Sequence, residues 1–258
     1  MTTNVLVCVK RVPDSSSEVV LTDDGQSVDG RFAGFTTSVH EECAVELAAQ
    51  VAAADGGEAT VLTLGDAGAV EQLRSSLAVG CTAATHVVAD PQRFGPADVA
   101  REIAAVVRDH QAQGRTFDLI LLGNDAADSG DFQVGIRLAY DLGRPVVNGV
   151  MHVSVADGEV TARGTGPDGH ETYQVPLPAV VTVLEGGVEP RYPTVPGRMR
   201  AKKVTIEERE PVAEPDGPSR VRLLLPPPAP SDVQILGKGA DAAPAVVDVL
   251  EKLGLVSR

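Results

Sequence analysis

The sequence has no tryptophan, and aromatic residues make up only 3% of its 258 residues. A core without large rings must be filled by Val, Leu, Ile and Ala, and a hydrophobic content of 43% supplies enough of them. Such side chains suit parallel strands covered by alanine-rich helices. Cysteine is scarce as well. Cys8, Cys43 and Cys81 are an odd number without CxxC spacing, which speaks against a disulfide framework or a zinc site. A reducing compartment fits that usage, so a cytoplasmic location is expected. No apolar run approaches the roughly 18 residues of a membrane span, and the N-terminus lacks a secretory signal pattern, so no membrane insertion is expected. Positive charge is in deficit. A formal net charge of −14 argues against nucleic acid as a partner, and any anionic ligand must be held by local groups. Neither GxxxxGK(S/T) nor GxGxxG occurs. After the first strand stands Lys10-Arg11-Val12-Pro13-Asp14, not the SGGxDS-like loop of adenylating or nucleotide-hydrolysing enzymes. There is no internal repeat.

What remains is an alternation. Residues 4–9 (NVLVCV), 59–64 (ATVLTL), 85–89 (THVVA) and 117–122 (FDLILL) are short apolar runs of the kind buried on both sheet faces. Between them, residues 40–54, 69–79 and 97–111 carry apolar side chains at helical spacing, and a further helix is predicted from about Asp131 to Tyr140. Strands and helices alternating at this spacing predict an α/β fold with an open, mostly parallel, doubly wound sheet. Residues 15–35 are polar, with room for a small hairpin near 18–21. After Gly143 the chain turns β-rich over 146–162 and 171–184, with a turn at 164–169. Residues 186–200 hold three prolines and three glycines and are predicted as an ordered loop without regular structure. Residues 211–230 are dense in proline, and 244–253 reads as a last amphipathic helix. This arm either lies against another chain or folds over its own domain.

The strongest local constellation is LILLGNDAADSGDFQVGIRLA, residues 119–139. A buried strand runs into a glycine-containing turn and then a helix, at the sheet edge where open α/β folds bind ligands. A helix N-terminus offers unpaired N–H groups and partial positive charge to a phosphate. Gly130 allows close backbone approach and Gly135 tight helix–sheet packing. The other reading makes Asp128, Ser129 or Asp131 ordinary helix caps. Asp128 and Asp131 would repel phosphate unless backbone donors outweigh them. No metal-binding carboxylate pair and no evident base accompany the turn, so hydrolysis is not expected and no catalytic residue set is assigned.

Residues 177–207, LPAVVTVLEGGVEPRYPTVPGRMRAKKVTIE, resemble the electron-transfer flavoprotein beta-subunit family, with Pro190, Arg191, Tyr192, Pro193, Met199, Ala201, Lys202 and Lys203 matching its pattern. VCVKRVPD, ECAVELA and the DxxDxQxG pattern of the turn look similar too, so the resemblance covers about residues 5–206. It implies an adenine nucleotide alpha-hydrolase-like, nucleotide-binding domain over 1–210 with a β-rich extension. Residues 211–258 then form a C-terminal arm on an electron-transfer flavoprotein alpha subunit, in a heterodimer. The resemblance also implies FAD held mainly by that alpha subunit and AMP buried in this one. Candidate AMP contacts, carried over by position, are Cys8, Ser38, Val39, His40, Glu41, Leu64, Gly123, Asn124, Asp125, Ala126, Asp128, Ser129, Gly130, Asp131, Phe132, Gln133 and Val134. A docking loop over 183–205 would present Pro190, Arg191, Tyr192, Val195, Met199, Lys202 and Lys203 to flavin dehydrogenases. An apolar side chain on a proline-braced loop loses little entropy on insertion into a groove. Arg198, Arg200, Lys202 and Lys203 either steer acidic partners or are solvated charges.

The implied function is an electron carrier between acyl-CoA dehydrogenase-type flavoenzymes, as in fatty acid β-oxidation, and a membrane quinone oxidoreductase. The alternatives are a bifurcating flavoprotein with a second FAD in the AMP position, or a non-redox nucleotide-binding regulatory module. Two departures stand out. Ser38-Val39-His40 replaces the family's Asn-Pro-aromatic segment, and Ser15 stands where a Tyr can occur. His40 beside a flavin could tune its potential by charge; a lone His at a helix start is otherwise a cap or surface residue.

Overall fold

A computed structural model describes residues 2–14, 16, 18–217, 220–227 and 233–256; Ser15 lies outside them. The chain forms β1 (Val5–Cys8), β2 (Val12–Pro13), β3 (Phe35–Thr36), α1 (Val39–Asp55), β4 (Ala59–Gly65), α2 (Val70–Val79), β5 (Ala83–Val88), α3 (Pro96–Ala112) and β6 (Leu119–Gly123). It continues through α4 (Val134–Leu142), β7 (Val146–Ala156), β8 (Glu159–Gly166), β9 (Gly169–Pro176), β10 (Ala179–Val183), α5 (Val195–Lys203), β11 (Ile206–Arg209) and α6 (Ala243–Lys252). The chain divides into two compact units, Met1–Leu223 and Leu224–Arg258.

In the first unit a nine-stranded sheet runs in the order β11-β5-β4-β1-β6-β10-β7-β8-β9. The strands from β11 to β7 pair in parallel, and β8 and β9 extend the sheet antiparallel. This is the open, mostly parallel α/β sheet with a β-rich extension that the alternation predicts. Its core follows from the two-residue period of a strand. Val5 and Val7 point into the cluster under α1 and α2, while Leu6 and Cys8 point into the one under α3 and α4. Both faces are covered, so β1 reads as a continuous apolar run rather than an alternating one.

The small hairpin allowed for in residues 15–35 is present in minimal form, an antiparallel bridge of Leu21 and Val28 flanked by the bonds Thr22 N to Ser27 O and Asp29 N to Val20 O. Three predicted details differ. The β-rich stretch has a tight turn at Asp157-Gly158 besides the one before Gly169. The helix after β6 starts at Val134 rather than near Asp131. The loop predicted over 186–200 gives way at Val195 to α5. Thr194 caps α5, accepting a hydrogen bond from Gly197 N at 3.1 Å, and Pro196 falls in the first turn, where its missing N–H is harmless. Gly197 is required there because a Cβ would lie 2.3 Å from Ala78 O on α2.

Residues 211–223 belong to the first unit. Val212 N, Asp216 N and Gly217 N donate to Glu102 and Asp98 of α3. In the second unit α6 buries none of its residues, and Ile235, Leu253 and Leu255 are exposed. Among the described residues no helix is long and apolar enough to cross a membrane.

Candidate nucleotide site

The connections leaving β1 and β6 diverge, β1 leading to α1 on one face of the sheet and β6 to α4 on the other. Adjacent parallel strands with diverging exits open a crevice at their carboxyl ends, the topological switch point of an open α/β sheet. A cavity of about 570 Å³ lies there, lined by residues of the β1, β4, β5 and β6 exits and the start of α1. That volume is within the roughly 300–1,000 Å³ usual for small-molecule sites. One wall is apolar, formed by Leu62, Leu64, Phe94, Val99 and Ile103. Another is the opening of α4, where Val134 and Gly135 line the cavity and no side chain caps the helix. The N–H groups of that first turn have no intrahelical acceptor and carry the positive end of the helix dipole.

The predicted caps do other work. Asp128 pairs with Lys10 Nζ at 2.6 Å and lies 3.8 Å from Arg220 Nη2. Asp131 accepts from Ser129 Oγ at 3.1 Å and from Gln133 Nε2 at 3.3 Å. Three N–H groups of the turn are consumed internally. Ala126 N donates to Asp131 O, and Ser129 N and Gly130 N donate to Ala126 O. The donors free for an anion are therefore fewer than the glycine-containing turn suggests, and they concentrate at the mouth of α4.

Of the contacts expected from sequence, Cys8, Glu41, Leu64, Gly123, Asn124, Asp125, Ala126, Asp128, Ser129, Asp131, Gln133 and Val134 line this cavity. Ser38, Val39, His40, Gly130 and Phe132 do not. Ser38 forms a capping box with Glu41 at the start of α1. His40 Nδ1 lies 2.8 Å from Asp125 Oδ1, joining α1 to the turn. Val39 and Phe132 are exposed, and Gly130, at φ +66°, supplies the left-handed turn. Burial pushes the Glu41 carboxyl up to about 7, against hydrogen bonds from Ser38 and from Lys10 N that favour its charged form. Burial also raises the Cys8 thiol far above its ordinary value, helped by the nearby Glu41 charge.

Several lining groups escape the sequence reading. The β5–α3 connection contributes Pro91, Gln92, Phe94, Gly95 and Pro96. A signal for it exists: Gly95-Pro96 with Asp98 marks a helix start just after a strand, and every such loop in a parallel sheet meets the same edge. Arg220 and Leu223, also lining the cavity, come from the proline-dense stretch that reads as an arm, and no local pattern points to them.

The predicted docking residues lie on the α1/α2 side. Tyr192, Val195 and Met199 are 89%, 77% and 57% exposed, and Lys202 and Lys203 are exposed at the end of α5, where cations complement the helix dipole. Arg191 is committed elsewhere. Its Nε and Nη2 bond the buried Glu46 carboxylate at 2.7 and 2.6 Å, fastening the segment to α1. Pro190, Arg191 and Tyr192 also line a second cavity, of about 240 Å³, against Val39, Val45 and Val79.

Comparison with known proteins gives consistent matches. The electron transfer flavoprotein domain model matches residues 35–214. The electron transfer flavoprotein subunit beta of Bacillus subtilis is 31% identical over 96% of this chain and 97% of its own. That of Mycobacterium bovis is 35% identical over 79% of this chain and 77% of its own. The caffeyl-CoA reductase-Etf complex subunit CarD of Acetobacterium woodii is 30% identical over 87% of this chain and 88% of its own.

Proposed function

This chain belongs to the electron transfer flavoprotein beta-subunit family, and we propose that it is the adenylate-holding, partner-docking half of a two-chain electron carrier. The observation that carries the reading is the cavity between the β1 and β6 exits, bounded by an apolar wall and the uncapped start of α4. An adenine nucleotide fits that donor set. The purine suits the Leu62, Leu64, Phe94, Val99 and Ile103 wall, and the phosphate suits the first-turn N–H groups with Lys10 near by.

The redox chemistry in such a complex is supplied by FAD, held mainly by an alpha subunit. The residues of this chain do the rest. Glu41, uncharged over much of the range below about 7, adds little negative charge to a wall that must accept an anion. Arg191 and Glu46 hold the Tyr192 segment against α1, and α5 presents Val195 and Met199 to a flavin dehydrogenase, from which electrons pass through the FAD to a membrane quinone oxidoreductase. The unburied α6 and its exposed apolar neighbours suit an arm that lies on the alpha subunit.

The A. woodii relative belongs to a caffeyl-CoA reductase-Etf complex, which keeps a second reading in view: a bifurcating flavoprotein whose second FAD occupies the same cavity. One experiment separates the two. The complex is co-purified with its alpha subunit and denatured in acid, and the released nucleotides are separated and counted. One AMP with one FAD per heterodimer is the expected result. Two FAD would move the assignment to the bifurcating type, and FAD with no second nucleotide would overturn both.

A further inference from the structure

Arg220 reaches the cavity on a segment that is tied down at both ends. At one end Val212 N donates to Glu102 Oε2 at 2.7 Å, and Asp216 N and Gly217 N donate to Asp98 Oδ1 at 3.1 and 3.2 Å. Asp98 is fully buried and also accepts from Gly95 N, so one carboxylate both caps α3 and clamps the segment. Burial alone would push the Asp98 carboxyl up. The hydrogen bonds from Asp216, Gly217 and Gly95 outweigh it and hold the group below its ordinary value, so the clamp is charged near neutral pH. Gly217 permits the approach, since a Cβ there would lie 2.9 Å from Asp98 Oδ2. At the other end Leu223 N donates to Gly25 O at 2.8 Å and Arg220 Nη1 to Gln26 O at 3.0 Å.

Between these ties Arg220 and Leu223 line the cavity wall. The Arg220 Nη2 atom is 3.8 Å from Asp128 Oδ2, beyond hydrogen-bond distance, while Lys10 Nζ takes Asp128 Oδ1 at 2.6 Å. Within this trio one carboxylate faces two cations, an excess of one positive charge, and the Arg220 guanidinium keeps an edge that is not fully used. The other carboxylates there are otherwise engaged. Asp125 pairs with His40, Asp131 bonds Ser129 and Gln133, and Glu41 bonds Ser38 and Lys10 N. Arg137, the remaining cation lining the cavity, is spent on Gln133 Oε1 at 2.8 and 3.0 Å.

We propose that residues 212–217, clamped by Asp98 and Glu102, and residues 220–223 form a strap that sets Arg220 in the cavity wall to bind the phosphate of the adenine nucleotide. The proposal rests on reading the cavity as an adenylate site. Guanidinium suits the role because its planar fork can hold two phosphate oxygens while Lys10 supplies a point charge.

The test compares wild type, Arg220→Gln and Arg220→Lys in the co-purified heterodimer. Release of bound AMP is followed by exchange against isotopically labelled AMP, and adenosine affinity is measured in parallel on complex stripped of nucleotide. Arg220→Gln is expected to release AMP about tenfold faster or more, Arg220→Lys to fall between, and adenosine affinity to stay within about twofold. Asp98→Asn, which weakens the clamp without touching the ligand, is expected to speed AMP release in the same direction. Equal AMP release by wild type and Arg220→Gln would overturn the proposal, as would equal losses for AMP and adenosine. If wild type releases a second FAD instead, faster release of that FAD from Arg220→Gln supports the same phosphate contact. A wild-type complex with no nucleotide beyond one FAD would overturn the proposal together with the reading beneath it.

Discussion

Replacing Arg191 with alanine strips the Glu46 carboxylate of its two closest cationic donors, at 2.7 and 2.6 Å, and leaves it with Gln50 Nε2 at 2.7 Å and the backbone N of residue 191 at 3.3 Å. The Glu46 side chain is 5% exposed, so the lost partner is not readily replaced by water. Arg191 is 51% exposed, which discounts the pair well below a fully buried one. Two hydrogen bonds to a charged group, reduced for that exposure, give a loss of about 2 kcal/mol. The pH dependence carries the sharper signature. Burial raises the Glu46 carboxyl, but the bonds from Arg191 and Gln50 outweigh it and leave the group below its ordinary value. A carboxyl held low in the folded state contributes stability above its unfolded value, near 4.5, and loses it as pH falls through the folded value. In Arg191→Ala the burial cost remains without its counterweight, so the difference from wild type should be full at pH 7 and shrink as pH drops below the ordinary carboxylate range. Urea denaturation of both chains at several pH values measures this. A loss below about 0.5 kcal/mol, or a difference that does not change with pH, would refute the reasoning. The proposed docking should suffer with it, since the Tyr192 segment loses its fastening to α1.

Two further outcomes follow from the same geometry. Glu41 has its folded value raised to about 7, so its contribution to stability is complete below the unfolded value and is lost as pH rises through 7. The displacement corresponds to roughly 3 kcal/mol, and Glu41→Gln should flatten the decline seen in denaturation as pH rises from the unfolded value of 4.5 to about 7; an unchanged slope would place the titrating group elsewhere. On the proposed function, Val195→Ala, at a side chain 77% exposed at the start of α5, should slow electron transfer from the proposed partner dehydrogenase in stopped-flow measurements without changing flavin content. Loss of flavin instead would make α5 a structural element of the FAD site.

Most of the sheet was legible because its information is local. Val5–Cys8, Ala59–Gly65 and Leu119–Gly123 are apolar runs of strand length, and the helices between them carry their own periodicity. The misjudged elements fail for a common reason. Pro196 and Gly197 read as breakers, yet one sits where a helix tolerates proline and the other is demanded by Ala78 O across the α2 interface. Asp128 could be read as one of three possible caps for α4, yet Lys10, distant in sequence, pairs with it, and α4 begins later without a side-chain cap. Arg191 matches a docking pattern, and the structure adds that Glu46 holds it, a pairing no local pattern announces.

The amino-acid sequence by itself determined the alternating α/β order, the reliance on small aliphatic side chains and the turn after β6, because each depends on neighbours within a few residues. Only the tertiary structure decided which donors of that turn stay free and that Arg220 and Leu223 return to the cavity. Those outcomes hang on charges and hydrogen bonds between segments far apart in the chain, whose meeting is set by how the layers pack, and no local pattern encodes that distance.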